Sequence, residues 1–220
     1  MSADLPLFGD APACAQAKPR QLGLPLGWAR TERQLILGAS LSEVARLLLD
    51  GEAQPPAATL LVGPPRSGRS LIGAVLTARG FGVIDDIERD SDEALFHGWN
   101  AARDAGSPLL LIAREDFAVT DRALPDLVTR LHSAHRVAIG LPDPCEIRAR
   151  VDDAAARAGV PLADTVANYV AARIERSHDA IARACDAIAA HLAHGGSPSL
   201  SAIRALLSDA RLIDPGSLAA

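Results

Sequence analysis

"ATLLVGPPRSGRS", from Ala58 to Ser70, is the stretch that decides the fold. Its first five residues, Ala58–Val62, form an apolar run of strand length. The next eight, Gly63–Ser70, form a Gly/Pro turn, and "LIGAVLTARG" from Leu71 to Gly80 then reads as an apolar helix. The turn fits G-x-x-x-x-G-[K/R]-S, a phosphate loop in which Arg69 stands where lysine is usual. Such a loop aims successive backbone N–H groups at an anion and ends on a helix N-terminus, whose partial positive charge favours phosphate. Gly63, Pro64, Pro65, Arg66, Ser67, Gly68, Arg69 and Ser70 are therefore the candidate cofactor-binding residues, for ADP or ATP. Ser70 is placed to ligate Mg²⁺ and Arg69 to reach the phosphates. Arginine keeps the charge but is bulkier and forked, so the substitution predicts retained diphosphate binding with weak or absent hydrolysis.

Working outward, "FGVIDDIERD" from Phe81 to Asp90 is a hydrophobic strand that delivers Asp85 and Asp86 to the edge where the phosphate loop lies. A carboxylate there can hold Mg²⁺ through water, which makes Asp85 a candidate metal residue beside Ser70. A helix capped by Ser91 follows, presenting Leu95, Phe96 and Trp99. "SPLLLIARE" from Ser107 reads as a third strand, "LPDLVTRLH" from Leu124 as a short helix and "RVAIGLP" from Arg136 as a fourth strand. Strands alternating with helices predict a parallel sheet with helices on its faces. From Pro144 to Ala210 only helical patterns remain, broken at "AGVPLAD" and "HGGSPSL", with Asp143, Asp164 and Ser199 as caps. This predicts a small all-helical domain of three or four helices. Upstream, residues 1–27 lack periodicity and read as a mobile arm. Thr31 to Asp50 reads as helical, with Leu41, Val44, Leu47 and Leu48 on one face and Ser40 or Ser42 as cap.

The bulk properties narrow the function. The 220 residues are 49% hydrophobic but only 3% aromatic, so the core must come from Leu, Ile, Val and Ala. A formal net charge of −5 and a pI near 5.6 disfavour a protein whose main task is gripping phosphate backbones. Nothing approaches the roughly 18 uncharged apolar residues of a membrane span. The acidic start with Asp4 and Asp10 argues against a secretory signal, and the expected compartment is cytoplasmic. Cys14, Cys145 and Cys185 are odd in number and lack ligand spacing, which suggests neither a disulfide framework nor a zinc site. The six histidines have no acid or nucleophile placed to complete a triad, and surface or cap roles are expected of them.

Taken in order, "GPPRSGRS", "VIDDIER", "DEALFHGWNAARDAGSPLLLIAR", "LPDLVTRL" and "VAARIERS" resemble the DnaA-related AAA+ proteins, and most of all their Hda group, which inactivates the replication initiator DnaA. The resemblance spans about residues 20 to 210. It implies an α/β AAA+ core over 29–142 and a helical lid domain over 143–220, preceded by an arm over 1–28. It gives Arg130 the role of arginine finger, the cation offered to a γ-phosphate held by a neighbouring subunit, and Arg176 that of the sensor-2 arginine, with Arg173 competing. Two features depart from the family pattern. The sensor-1 position past the third strand holds Ala113, Arg114 and Glu115 rather than a small polar group. The chain also runs from the phosphate-loop helix straight into "FGVIDD", so a four-stranded core missing one edge strand is expected. The resemblance stops short of the helix-turn-helix domain by which DnaA reads DNA, and with the acidic pI this predicts no sequence-specific DNA binding. A homo-oligomer is left open.

The same resemblance explains "QLGLPL" at Gln21–Leu26. Hda-type proteins carry a hexapeptide Q-L-x-L-P-L that docks on the sliding clamp, the β subunit of DNA polymerase III. Here Gln21 would hydrogen-bond at the pocket mouth, while Leu22, Leu24 and Leu26 supply about 1.5–3 kcal/mol each before ordering costs. Pro25 fixes one φ angle and lowers those costs. A net of about 7–8 kcal/mol gives micromolar affinity. "DLPLF" at residues 4–8 looks like a blurred second copy. The expected function is thus a clamp-tethered regulator that stimulates ATP hydrolysis by DnaA, with little or no ATPase activity of its own. The alternative is a nucleotide-independent clamp-binding adaptor whose phosphate loop is a relic.

Overall fold

The computed structural model describes residues 20–22, 35–46 and 55–213. The chain divides into two compact units, one built on residues 21–142 with Ser177–Asp179, the other on 143–176 and the chain from Ala180 onward.

In the first unit, β1 (Arg20–Leu22) pairs with β2 (Leu35–Leu37) in a two-stranded ribbon. Both differ from expectation. Part of the supposed arm is strand, and the helix predicted from Thr31 is replaced at 35–37 by strand. The apolar trio "LIL" buries Ile36, and Gly38, extended at φ −102°, separates it from a 3₁₀ turn (Ala39–Leu41) and the single turn α1 (Ser42–Val44). Leu41 and Val44 are buried as predicted, but neither Ser40 nor Ser42 caps a helix; Leu47 and Leu48 lie outside the described residues.

The main sheet contains β3 (Ala58–Gly63), β4 (Gly82–Ile84), β5 (Leu109–Arg114) and β6 (His135–Ala138), all parallel in the order β4-β5-β3-β6. It is the four-stranded sheet read from the sequence. Side chains alternate along each strand, so one sheet has two apolar faces. Leu61, Leu110, Ile112 and Val137 pack with Ile72, Val75 and Leu76 of α2 (Arg69–Thr77) and with Leu41 and Val44. Leu60, Val62, Leu109 and Leu111 point the other way, onto Leu95 and Ala102 of α3 (Asp92–Asp104) and Leu127 and Leu131 of α4 (Pro125–Ser133). Ser91 caps α3 as predicted, its Oγ accepting from the Ala94 N–H. One histidine departs from expectation: His178 is 1% exposed, with Nε2 2.8 Å from the Gly140 carbonyl oxygen.

The second unit holds α5 (Pro144–Arg157), α6 (Asp164–Arg173), α7 (His178–Ala193) from Ala180 onward, and α8 (Leu200–Asp209). Alanines 154, 155, 167, 171, 180 and 184 let these helices approach closely around Ile147, Val151, Val170, Ile181, Ile188, Ile203 and Leu207. Asp143 and Ser199 accept the backbone N–H three residues on, as caps should; Asp164 does not, and its carboxylate binds Arg148 instead. Cys145 is disulfide-bonded, which the spacing of the cysteines did not suggest. Burial pushes the Cys185 thiol up to about 12, so it stays protonated and inert. Among the described residues no helix is long and apolar enough to cross a membrane.

Candidate functional site

The phosphate loop has the local geometry its residue types require. β3 ends at Gly63, α2 begins at Arg69, and the turn between is closed by Ser67 N–H donating to Pro64 O at 3.4 Å. Gly63 lies so close to Ile139 and Ser67 that a Cβ there would meet them at 3.0 and 3.1 Å. Gly68, at φ +93°, holds the left-handed conformation that starts α2 without a side-chain cap, leaving that end open to an anion. The Ser67 hydroxyl is buried in this turn with no hydrogen-bond partner. An orphaned donor of this kind inside a phosphate loop fits a phosphate ligand. Pro64 is half-buried and Pro65 exposed; Arg66 takes a positive φ of 61°.

Arg69 does not point into open solvent. Its Nη1 donates to the Ala113 carbonyl at 2.5 Å, joining the loop to the end of β5. Register explains the reach: Gly63 pairs with Arg114, so the last residues of β5 lie beside the start of the loop. At this corner Arg114 forks onto Asp116, with Nε–Oδ1 3.1 Å and Nη2–Oδ2 2.7 Å, and its backbone N–H donates to Glu88 Oε1. The hydrogen bond and charge of Asp116 raise the Arg114 pKa, and the reciprocal contact lowers that of Asp116. An ion pair thus occupies the corner past β5, where the resemblance implies a sensor-1 group and the sequence offers Ala113, Arg114 and Glu115.

Asp85 and Asp86 follow β4, at the same carboxyl edge as the loop but two strands away from β3. Asp85 is exposed; its Oδ1 accepts the Asp86 N–H at 2.9 Å, and Asp86 adopts a positive φ of 52°. Ser70 is exposed on the first turn of α2. Arg176 lies between α6 and α7 and belongs to the helical unit. Gln21 and Leu22 fall in β1; Leu24, Pro25 and Leu26 lie outside the described residues, as does the stretch at 4–8.

Arg130 is held by its own unit. It projects from α4 onto α3, with Nη1 donating to Asn100 Oδ1 at 2.8 Å and the guanidinium carbon 4.2 Å from the centre of the Phe96 ring. The sequence pattern marks Phe96 only as part of the apolar face of α3 and does not single out Asn100. The available signal was their four-residue spacing, which puts both on one side of a helix.

No family model matches the chain, and no curated protein matches its sequence. Solved structures do resemble it. Domain III of the Thermotoga maritima replication initiation protein DnaA superposes with a TM-score of 0.61 at 15% identity, over 82% of this chain and 95% of that one. A DnaA structure bound to AMPPCP and single-stranded DNA gives 0.52 at 14% identity, covering 69% of this chain and 62% of the other. The Thermotoga maritima RuvB branch migration motor gives 0.52 at 16%, covering 77% and 68%. Four parallel strands with a phosphate loop after β3, followed by a helical unit, give this chain the AAA+ fold in its DnaA-like form.

Proposed function

We propose that this protein is a DnaA-related regulator of replication initiation that binds a nucleotide in its phosphate loop, docks on the sliding clamp through Gln21–Leu26 and presents Arg130 to ATP bound by DnaA. The observation that carries the reading is the intact cradle from Gly63 to Ser70, with its orphaned Ser67 hydroxyl, set in a fold that spans 95% of a DnaA domain III. The DnaA structures with AMPPCP bind nucleotide on the same fold. In this chain the loop amides, Ser67 and Arg69 would hold the phosphates of ADP or ATP, and Ser70 with Asp85 or Asp86 would hold Mg²⁺. A cation that meets a neighbour's γ-phosphate lowers the barrier by neutralising transition-state charge, worth about 10³–10⁵ in rate. Arg130 would be that cation, oriented by Phe96 and Asn100. The test is ATP hydrolysis by DnaA in the presence of DNA-loaded clamp: adding this protein should accelerate it, and unchanged hydrolysis sinks the proposal.

One observation favours a second reading. Arg69 already has a partner in the Ala113 carbonyl, as expected of a loop that has become structural. A nucleotide-independent, clamp-binding adaptor would follow. Thermal denaturation with ADP and Mg²⁺ separates the two, because a bound ligand stabilises the fold by RT ln(1 + [L]/Kd) and so raises the midpoint, whereas a relic loop leaves it unmoved.

A further inference from the structure

Among the described residues five helices close in the same way. The residue after the C-cap region turns left-handed, and the next N–H reaches back to a carbonyl in the last turn: Phe81 to Leu76, Ser107 to Ala102, Val160 to Ala155, Gly196 to His191 and Leu212 to Leu207. In four of these the left-handed residue is glycine, namely Gly80, Gly106, Gly159 and Gly195. In the fifth, after α8, it is Arg211 at φ 56°. A Cβ is disfavoured in this conformation, and glycine is the residue that removes the strain. The one exception therefore points to a use for the arginine side chain.

That side chain lines a cleft of about 640 Å³ in the helical unit, together with Arg173, Ile174, Glu175, Ser208, Leu212 and Ile213. The cleft lies where Ile174, just past α6, forms an antiparallel bridge with Ile213. Ile174, Leu212 and Ile213 are 5–6% exposed and form an apolar floor. Arg173 stacks its guanidinium 4.4 Å from the Tyr169 ring centre, which fixes the fork in place. Elsewhere in this unit Arg148, Arg150 and Arg157 each hold a carboxylate. Arg173 and Arg211 carry no such ion pair among the described residues, although they line one cleft.

We propose that this cleft is a docking site for an acidic peptide segment of a protein partner, in which a carboxylate meets Arg173 and Arg211 while a neighbouring aliphatic side chain covers the isoleucine floor. The volume suits a few side chains. Guanidinium forks match carboxylates bidentately. Glu175 on the rim disfavours a doubly charged phosphate, whereas a single carboxylate beside an apolar side chain fits both the charge and the floor. The lining residues all belong to the helical unit and include neither Arg130 nor any residue of the phosphate loop.

The test uses the full chain and a fluorescein-labelled hexapeptide alternating glutamate with leucine, read by fluorescence anisotropy, with the glutamine-for-glutamate peptide and inorganic phosphate as comparison probes. The wild type should bind the glutamate peptide, and Arg211→Gly and Arg173→Ala should each weaken it about tenfold. Arg211→Gly should at the same time raise the melting temperature, because it relieves the left-handed strain, so loss of binding cannot be ascribed to misfolding. Equal binding by wild type and Arg211→Gly, equal binding of the glutamine peptide, or no binding by the wild type each overturns the site. Displacement of the peptide by millimolar phosphate overturns the assignment to a carboxylate.

Discussion

The Arg130 guanidinium carbon sits over Phe96, 4.2 Å from its ring centre, while one N–H is spent on Asn100. Two contacts from one face of α3 thus fix an arginine that α4 alone would leave free. Among the described residues the other four N–H donors of the guanidinium make no hydrogen bond. The arrangement holds a cation in one orientation without neutralising it.

Arg130→Ala should therefore have two separable effects. Loss of the ring contact and the Asn100 bond should cost about 1 kcal/mol of stability, seen as a small drop in melting temperature. Stimulated ATP hydrolysis by DnaA should fall to the unstimulated rate. Arg130→Lys keeps the charge but not the fork, and should restore most of the stability and little of the stimulation. If the lysine variant stimulates fully, orientation by Phe96 and Asn100 is irrelevant.

Asp92 is the joint that sets α4 against α3. Its carboxylate accepts the N–H groups of Leu124 and Ala123, each at 2.8 Å, and pairs with Arg122 at 3.2 Å. The Leu124 N–H is the first of several contacts that hold its pKa below the ordinary carboxylate value. A depressed pKa means the contribution is present above the unfolded value, about 3.9, and is lost as pH falls through the folded one. Acid titration of stability should show this: wild type should lose more stability than Asp92→Asn on going below about pH 4. Parallel curves for the two proteins would show that the carboxylate contributes nothing there.

Local signals in the sequence carried much of this structure. β3, the loop and α2 follow from one contiguous pattern, and Ser91, Asp143 and Ser199 act as caps three residues from the N–H they accept. What escaped were contacts between distant residues. The Arg69 side chain finds a carbonyl 44 residues away, Arg130 an amide 30 away and His178 a carbonyl 38 away. Leu35–Leu37 escaped for another reason: three apolar residues have no period, so strand and helix read alike until pairing with Arg20–Leu22 decides.

Arg69→Lys addresses the loop directly. Lysine is a point charge on a flexible stem, and it reaches phosphates without needing a carbonyl to hold it. Under the proposed function, ADP with Mg²⁺ should stabilise wild type and variant alike, and only the variant should gain measurable ATP turnover. Turnover should vanish again when Asp86→Asn is added. A variant without turnover would place the block on hydrolysis elsewhere, with the Arg114–Asp116 pair past the end of β5 as the next residues to change.

The proposed clamp-docking peptide, Gln21–Leu26, starts inside β1, which bears on how its removal should be tested. Gln21 belongs to a strand whose pairing with β2 is made by main-chain groups, so Gln21→Ala leaves that pairing possible. Leu24 follows Leu22, the last residue of β1, by two positions in the sequence and lies outside the described residues. The double variant Gln21→Ala with Leu24→Ala should then keep its circular dichroism and melting temperature. Its clamp affinity should fall by about a hundredfold, since one apolar anchor and one polar contact together supply about 3 kcal/mol. Co-elution with the clamp on size exclusion, scored against a melting curve, separates the outcomes. Retained co-elution shows that other residues make the contact. A lowered melting temperature shows that these side chains belong to the core of the protein itself, and the tether would then have to be sought outside Gln21–Leu26.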